Sequence, residues 1–205
     1  EMAQKADKPR ARLTALWALA NLGQVPPGLL ANLVNDPDET VRAWAARLGM
    51  GEGRADSSVL KAWITRVQLL GEPSPRVRLA IASSAGRLPE SDRLDLLLPL
   101  TRNLADTTDP VLPLMLWYSL EPALNTPVAR AQLLSQPTLP QIVRWLARRA
   151  AETMEGEAWL ARAVGGEVQV RQTEELLKGW LESKATQAQP KAPQGWDKAY
   201  AALEK

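Results

Sequence analysis

Apolar residues recur at helical intervals over nearly the whole chain. Leu13, Leu16, Trp17 and Ala20 fall at i, i+3, i+4 and i+7, and Val41, Trp44, Ala45 and Leu48 repeat the spacing. That pattern gathers each set on one side of a 3.6-residue helix. Strand-like alternation nowhere exceeds four residues. The periodicity predicts helices over 9–22, 27–35, 38–49, 57–70, 75–87, 91–105, 110–123, 127–134, 138–153, 156–164 and 169–183. Punctuation agrees with it. Asp36-Pro37-Asp38 offers side-chain acceptors at a helix entry, and Pro75 suits a first turn, where no backbone donor is needed. Gly23, Gly49, Gly71 and Gly86 stand at or near predicted ends, where left-handed backbone costs glycine little. Connections of two to seven residues make successive helices antiparallel neighbours.

The breakers are themselves periodic. Asp36-Pro37-Asp38-Glu39-Thr40-Val41-Arg42-Ala43-Trp44-Ala45-Ala46 aligns with Glu72-Pro73-Ser74-Pro75-Arg76-Val77-Arg78-Leu79-Ala80-Ile81-Ala82 at an offset of 36 residues. Acid, Pro, Val, Arg and Ala stay in step. A third copy opens at Asp109-Pro110, 37 residues further on, with Leu114-Met115 where the Val-Arg pair would stand. Arg10-Ala11-Arg12-Leu13 reads as a truncated or capping copy at the start. A period in the mid-thirties made of two helices predicts a stacked solenoid.

This pattern resembles the HEAT-repeat family, in which an acid–Pro turn leads into a helix carrying Val-Arg. The specific stretch is roughly residues 30–90, with weaker echoes to about 165. The resemblance implies a right-handed, all-α solenoid of about 11–12 helices. It also implies that the acid holds the turn and the arginine ladders along the stack, roles that fall to Asp36 with Arg42, Glu72 with Arg78, and Asp109 in the third copy. A second resemblance lies in the order of Arg12–Trp17, Asp36–Leu48, Pro75–Leu88, Asp109–Tyr118 and the ending Gln194–Tyr200. These strings look like the helical-repeat region of planctomycete and verrucomicrobial "membrane-bound dehydrogenase" proteins. There a β-propeller precedes the repeats and a c-type haem domain follows, which implies a periplasmic or secreted parent. The opening Glu1-Met2 likewise predicts a piece of a longer protein.

Composition narrows the chemistry. There is no Cys, no His and no Phe, against eight Trp. Without Cys there is no disulfide, thiolate nucleophile or Cys-ligated metal centre. Without His the commonest general base and the commonest transition-metal ligand are gone. The pairs Asp92/Asp95 and Glu152/Glu155 read as helix-surface charge, because neighbours on one helix cannot flank a scissile bond. Ser83-Ser84 lacks a Gly-x-Ser-x-Gly turn, and no Gly-x-Gly-x-x-Gly or Walker-type loop occurs. No catalytic, cofactor-binding or metal-ligating residue is therefore expected, and the chain is not expected to be an enzyme. Lys+Arg 25 against Asp+Glu 23 gives a formal +2 with the signs interspersed, and no run reaches the ~18 apolar residues of a spanning helix.

Two constellations remain. Trp17, Trp44, Trp117, Trp145 and Trp180 sit on the apolar phase of their helices and are expected between helix layers. Trp63 and Trp159, of less certain phase, are the candidates for an exposed or groove position. Arg144, Arg148 and Arg149, with Arg130 and Arg162 nearby in sequence, could form a basic groove, although the spacing equally permits pairing with Glu152 and Glu155. Trp63, Arg144, Arg148 and Arg149 are accordingly the candidate interaction residues. The expected organisation is a repeat domain over 1–184, a Pro-containing linker over 185–195 and a short docked helix over 196–205. The expected role is a scaffold whose second helices (57–70, 91–105, 127–134 and 156–164) line a concave surface for a protein partner or a neighbouring domain. The alternative is nucleic-acid binding of the HEAT-like alkylpurine DNA glycosylase type. The balanced charge and absence of a basic stripe argue against it.

Overall fold

The computed structural model describes residues 1–50, 55–167, 170–185, 192 and 195–203. Among these the chain is all-α, of the helical-repeat solenoid class, with thirteen α-helices and no strand. They are α1 (Met2–Lys5), α2 (Pro9–Asn21), α3 (Pro27–Leu33), α4 (Glu39–Met50), α5 (Ser57–Thr65), α6 (Pro75–Ala85), α7 (Glu90–Leu97), α8 (Leu112–Leu120), α9 (Pro127–Leu134), α10 (Pro140–Ala150), α11 (Met154–Arg162), α12 (Val170–Lys184) and α13 (Trp196–Leu203). The linker expected over 185–195 falls largely outside the described residues.

The helices start where side chains relieve the unpaired N–H groups of the first turn. Asp38 accepts from Thr40 N and Val41 N, Asp56 from Ser58 N, Thr126 from Ala129 N and Thr153 from Gly156 N. Two expected helices are shorter than their apolar period suggests. The helix expected over 91–105 stops at Leu97 and is followed by 3₁₀ turns over Leu98–Arg102 and Leu104–Thr108. Pro99 explains this, since its ring displaces the preceding turn and it has no N–H to donate. Pro122 acts likewise where α8 gives way to the 3₁₀ turn Glu121–Asn125. At the end of α5, a π turn over Arg66–Leu70 leads into Gly71, whose φ of +67° is open to glycine at little cost.

The chain divides into two compact units, residues 1–100 with 109–123 and residues 101–108 with 124–205. In the first unit α2, α4, α6 and α8 pack in succession as one layer, and α3, α5 and α7 pack in succession as another. Val41, Ala45, Val77 and Ile81 are fully buried on the first-layer helices. In the second unit α10 lies on α12, and α13 packs against α11 and the turn after it. Gly179 permits the closest of these approaches, because a Cβ there would collide with the Arg144 carbonyl oxygen across the α10–α12 contact.

The tryptophans require a correction. Trp63, expected at an exposed or groove position, is 0% exposed, and Trp159 is buried as well. Trp63 shares its side of the chain with buried Val59 and Val67, at i−4 and i+4, so the core face runs straight through it. Trp17, expected in the core, is instead 40% exposed and meets half-buried Trp44 edge-to-face at 5.2 Å. Trp180 is buried and stacks edge-to-face on Trp196 at 5.3 Å.

Candidate functional site

The turns that enter α2, α4 and α6 carry one recurring device. Arg12 donates through Nε and Nη2 to both oxygens of Asp36, each at 2.8 Å. Arg42 makes the same fork onto Glu72, at 3.2 and 2.9 Å. Each pair thus joins the arginine of one repeat to the acid of the next, and all four side chains are buried. Within a repeat the link is to the main chain. Arg12 Nη1 donates to the carbonyls of Ala6 and Asp7, Arg42 Nη1 to those of Asp36 and Pro37, and Arg78 Nη1 to those of Glu72 and Pro73. The arginine therefore reaches the carbonyls six and five residues behind it and ties the turn to the helix it opens.

The acids have a second duty. Asp36 accepts from Asp38 N, Glu72 from Ser74 N, and Asp109 from Val111 N, each two residues ahead. Burial alone would raise the Glu72 carboxyl. Hydrogen bonds from Arg42, Arg66 (2.7 Å) and the Ser74 N–H outweigh burial and hold it below the ordinary carboxylate value. Asp109 is held low by the N–H groups of Leu112 and Val111. Its carboxylate serves as the cap of its own helix.

A fourth arginine uses the same local geometry. Arg130 donates to the carbonyls of Leu124 and Asn125, again six and five residues behind, and its guanidinium lies 5.1 Å from the Trp159 ring centre. The sequence carried a signal for it. Pro9, Pro75 and Pro127 each stand three residues before Arg12, Arg78 and Arg130 respectively.

In the second unit, glutamines provide the links between successive repeats. Gln141 donates to Thr107 O at 2.5 Å and Gln172 to Gln136 O at 2.7 Å, spanning 34 and 36 residues. Neither was singled out by sequence reasoning, since nothing in a local pattern distinguishes them from surface amides.

The arginines proposed as an interaction surface are engaged with acids. Arg144 binds Glu175 through Nε and Nη2, at 2.9 and 2.7 Å, and reaches Glu182 at 3.7 Å. Arg148 also reaches Glu182, at 3.8 Å, and Arg149 pairs with Glu152. Arg149 makes the pairing anticipated with Glu152. Arg144 and Arg148 turn across to α12. Glu175, which burial would raise, is held low by Lys178 and Arg144.

A different face is left for contact. The second-layer helices of the first unit turn Asn32, Lys61, Thr65, Gln68 and Asp95 outward, all of them exposed. Gln68, in the turn after α5, reaches the Asp95 carbonyl of α7 at 3.4 Å, and Leu69 and Leu70 beside it are exposed as well. Among the described residues no group of three or more His, Cys, Asp or Glu could hold a metal ion, and no helix is long and apolar enough to cross a membrane.

The family model that the chain matches describes HEAT repeats. The match spans residues 26–112. That stretch contains both Asp36–Arg42 and Glu72–Arg78, so the region similar to HEAT repeats is also the one that carries the buried ladder. No curated protein and no solved structure matches the chain.

Proposed function

We propose that this chain is a non-catalytic scaffold that binds a protein partner, or a neighbouring domain, on the exposed row of its second-layer helices. The observation that carries the reading is the division of labour in the first unit. Buried Arg12, Asp36, Arg42 and Glu72 are engaged in stacking, whereas Lys61, Thr65, Gln68 and Asp95 face water. A repeat stack presents such a row over a length that grows with each hairpin, which suits extended partners. A photoreactive amino acid at Lys61 or Thr65 should give a saturable crosslink to one partner, whereas the same probe at exposed Ser83 of α6 should not. Equal crosslinking from both positions, or none from either, would sink the reading.

The finer proposal rests on the resemblance alone. It makes the chain part of a larger extracytoplasmic dehydrogenase-like protein, with catalysis in other domains. The complete gene decides it: a propeller-encoding segment upstream and Cys-x-x-Cys-His downstream are expected, and a reading frame lacking both removes that lineage. The nucleic-acid alternative gains nothing from Arg144 and Arg148, which face Glu175 and Glu182.

A further inference from the structure

Counted back from the acid of each turn, Leu33-Val34-Asn35 before Asp36 corresponds to Leu69-Leu70-Gly71 before Glu72. The repeat alone would bury both apolar pairs. Leu33 and Val34 are 2% and 0% exposed, yet Leu69 and Leu70 are 76% and 73% exposed. The last buried apolar residue, Val34 or Val67, stands two positions before Asp36 but five before Glu72. The π turn over Arg66–Leu70 takes up the added length and carries Gln68, Leu69 and Leu70 outward. That turn is held from both sides. Arg66 donates to Glu72 at 2.7 Å and to Asn35 at 3.1 Å, and Gln68 donates to the Asp95 carbonyl. The leucines are thus presented by a pinned turn rather than by a frayed helix end, which lowers the ordering cost of a contact. Apolar side chains scattered singly over a surface are ordinary; an adjacent pair fixed in water marks a contact.

The stripe that ends at these leucines carries a charge as well. Val59, Trp63 and Val67 are buried at four-residue intervals, and Lys61, Thr65 and Leu69 are exposed at the same interval on the other side. Lys61 has no ion-pair partner among the described residues. Eight residues of helical rise put it about 12 Å from Leu69. The outer face of α5 therefore offers an apolar anchor at one end and a cation at the other. Among the described residues there is no strand, so an extended peptide finds no ladder to join. A second helix laid along α5 spans the stripe, because its own side chains about seven or eight residues apart share a face at about 10–12 Å. We propose that the outer face of α5 receives an amphipathic helix of a partner polypeptide, with aliphatic side chains on Leu69 and Leu70 and an aspartate or glutamate on Lys61. This occupant rests on the scaffold reading and names the partner's chemistry at that same face. A basic helix is repelled by Lys61, and a wholly polar one leaves both leucines in water.

The test is to pan a phage-displayed library of helical peptides, randomised on one face, against the full chain. Enriched helices should carry two aliphatic residues and an acid about seven or eight positions from them. Leu69→Ser combined with Leu70→Ser should abolish binding of a synthetic copy of the enriched peptide and leave the thermal midpoint unchanged, since both side chains are in water. Lys61→Glu should weaken the same peptide about fivefold. Panning against that variant should enrich lysine or arginine where the acid stood. No enrichment, an enriched helix that binds the double-serine chain equally well, or the same acid selected against Lys61→Glu overturns the proposal. A natural partner that crosslinks at Thr65 while the library yields no such helix leaves the scaffold reading standing without this occupant. Enrichment of the helix together with equal crosslinking from Thr65 and Ser83 does the reverse.

Discussion

The forked arginine–carboxylate pairs of the first unit are buried, whereas the arginine of the fork in the second unit is partly open to water. Arg12–Asp36 and Arg42–Glu72 are forked pairs with side chains at most 7% exposed, whereas Arg144 is 36% exposed where it meets Glu175 and Glu182. Buried pairs are not strong sources of net stability, since each ion loses its hydration. Removing one partner, however, strands the other and is costly. Exposed pairs contribute little either way. The first unit is thus specified by charge geometry. The second relies more on close helix approach at Gly179 and on two glutamine links.

That contrast can be broken from either side. Glu72→Ala should have the largest effect, about 3–5 kcal/mol, because it strands both Arg42 and Arg66 in a buried turn. Hydrogen exchange resolved by segment should show protection lost over α4 and α6, and unchanged α10–α12 protection would keep the contrast. Gly179→Ala should act on the other unit, costing about 1–3 kcal/mol by forcing α12 off α10. Equal loss of protection in both units after either substitution would refute the separate means of support.

Acid supplies a graded version of the first experiment. The Glu72 carboxyl is lowered on folding, so its contribution is complete above the unfolded carboxylate range and is lost as pH falls through the folded value. Unfolding free energies from urea titrations should therefore drop on acidification, by at most about 1.4 kcal/mol per pH unit from this group. Glu72→Gln should flatten that limb. The smallest effect is salt. Raising ionic strength to about 1 M shortens screening to about 3 Å. Protection around Arg144–Glu175 should then fall by less than about 1 kcal/mol, with the buried ladder unmoved.

Much of the architecture was legible because a two-helix period repeats its own punctuation. Acid–Pro followed by Val-Arg at Asp36 and Glu72 marked the turns, and the expected and observed starts of α2, α3, α5 and α6 coincide. The direction of the ladder was not legible. Arg42 could be read with Asp36 in its own repeat, yet its fork closes on Glu72. Which of two acids an arginine meets is decided by stacking, a relation between segments 30 residues apart. The placement of Trp17 failed for a related reason. Trp63 lies on the face that Val59 and Val67 mark at i−4 and i+4, so its burial follows its own phase, whereas apolar phase on first-layer α2 does not say which flank of Trp17 a neighbour hides. Gln172 carried no local mark at all, because its link to the Gln136 carbonyl spans 36 residues.

The Asp36 repeat presents an acid at its entrance and an arginine six residues later, and that arginine, like Arg12 before it, is taken up by the acid of the following entrance. The module is therefore a plug and socket with one polarity. A hairpin of another length could be spliced between Arg42 and Glu72 without altering either end, provided that it brought its own acid and its own arginine in that order. A hairpin lacking the acid would break the line at that joint and at no other. The 24-residue and 30-residue spans from Arg12 to Asp36 and from Arg42 to Glu72 show that the chain already tolerates this variation. It is a grammar for lengthening the stack that leaves the exposed row free to change.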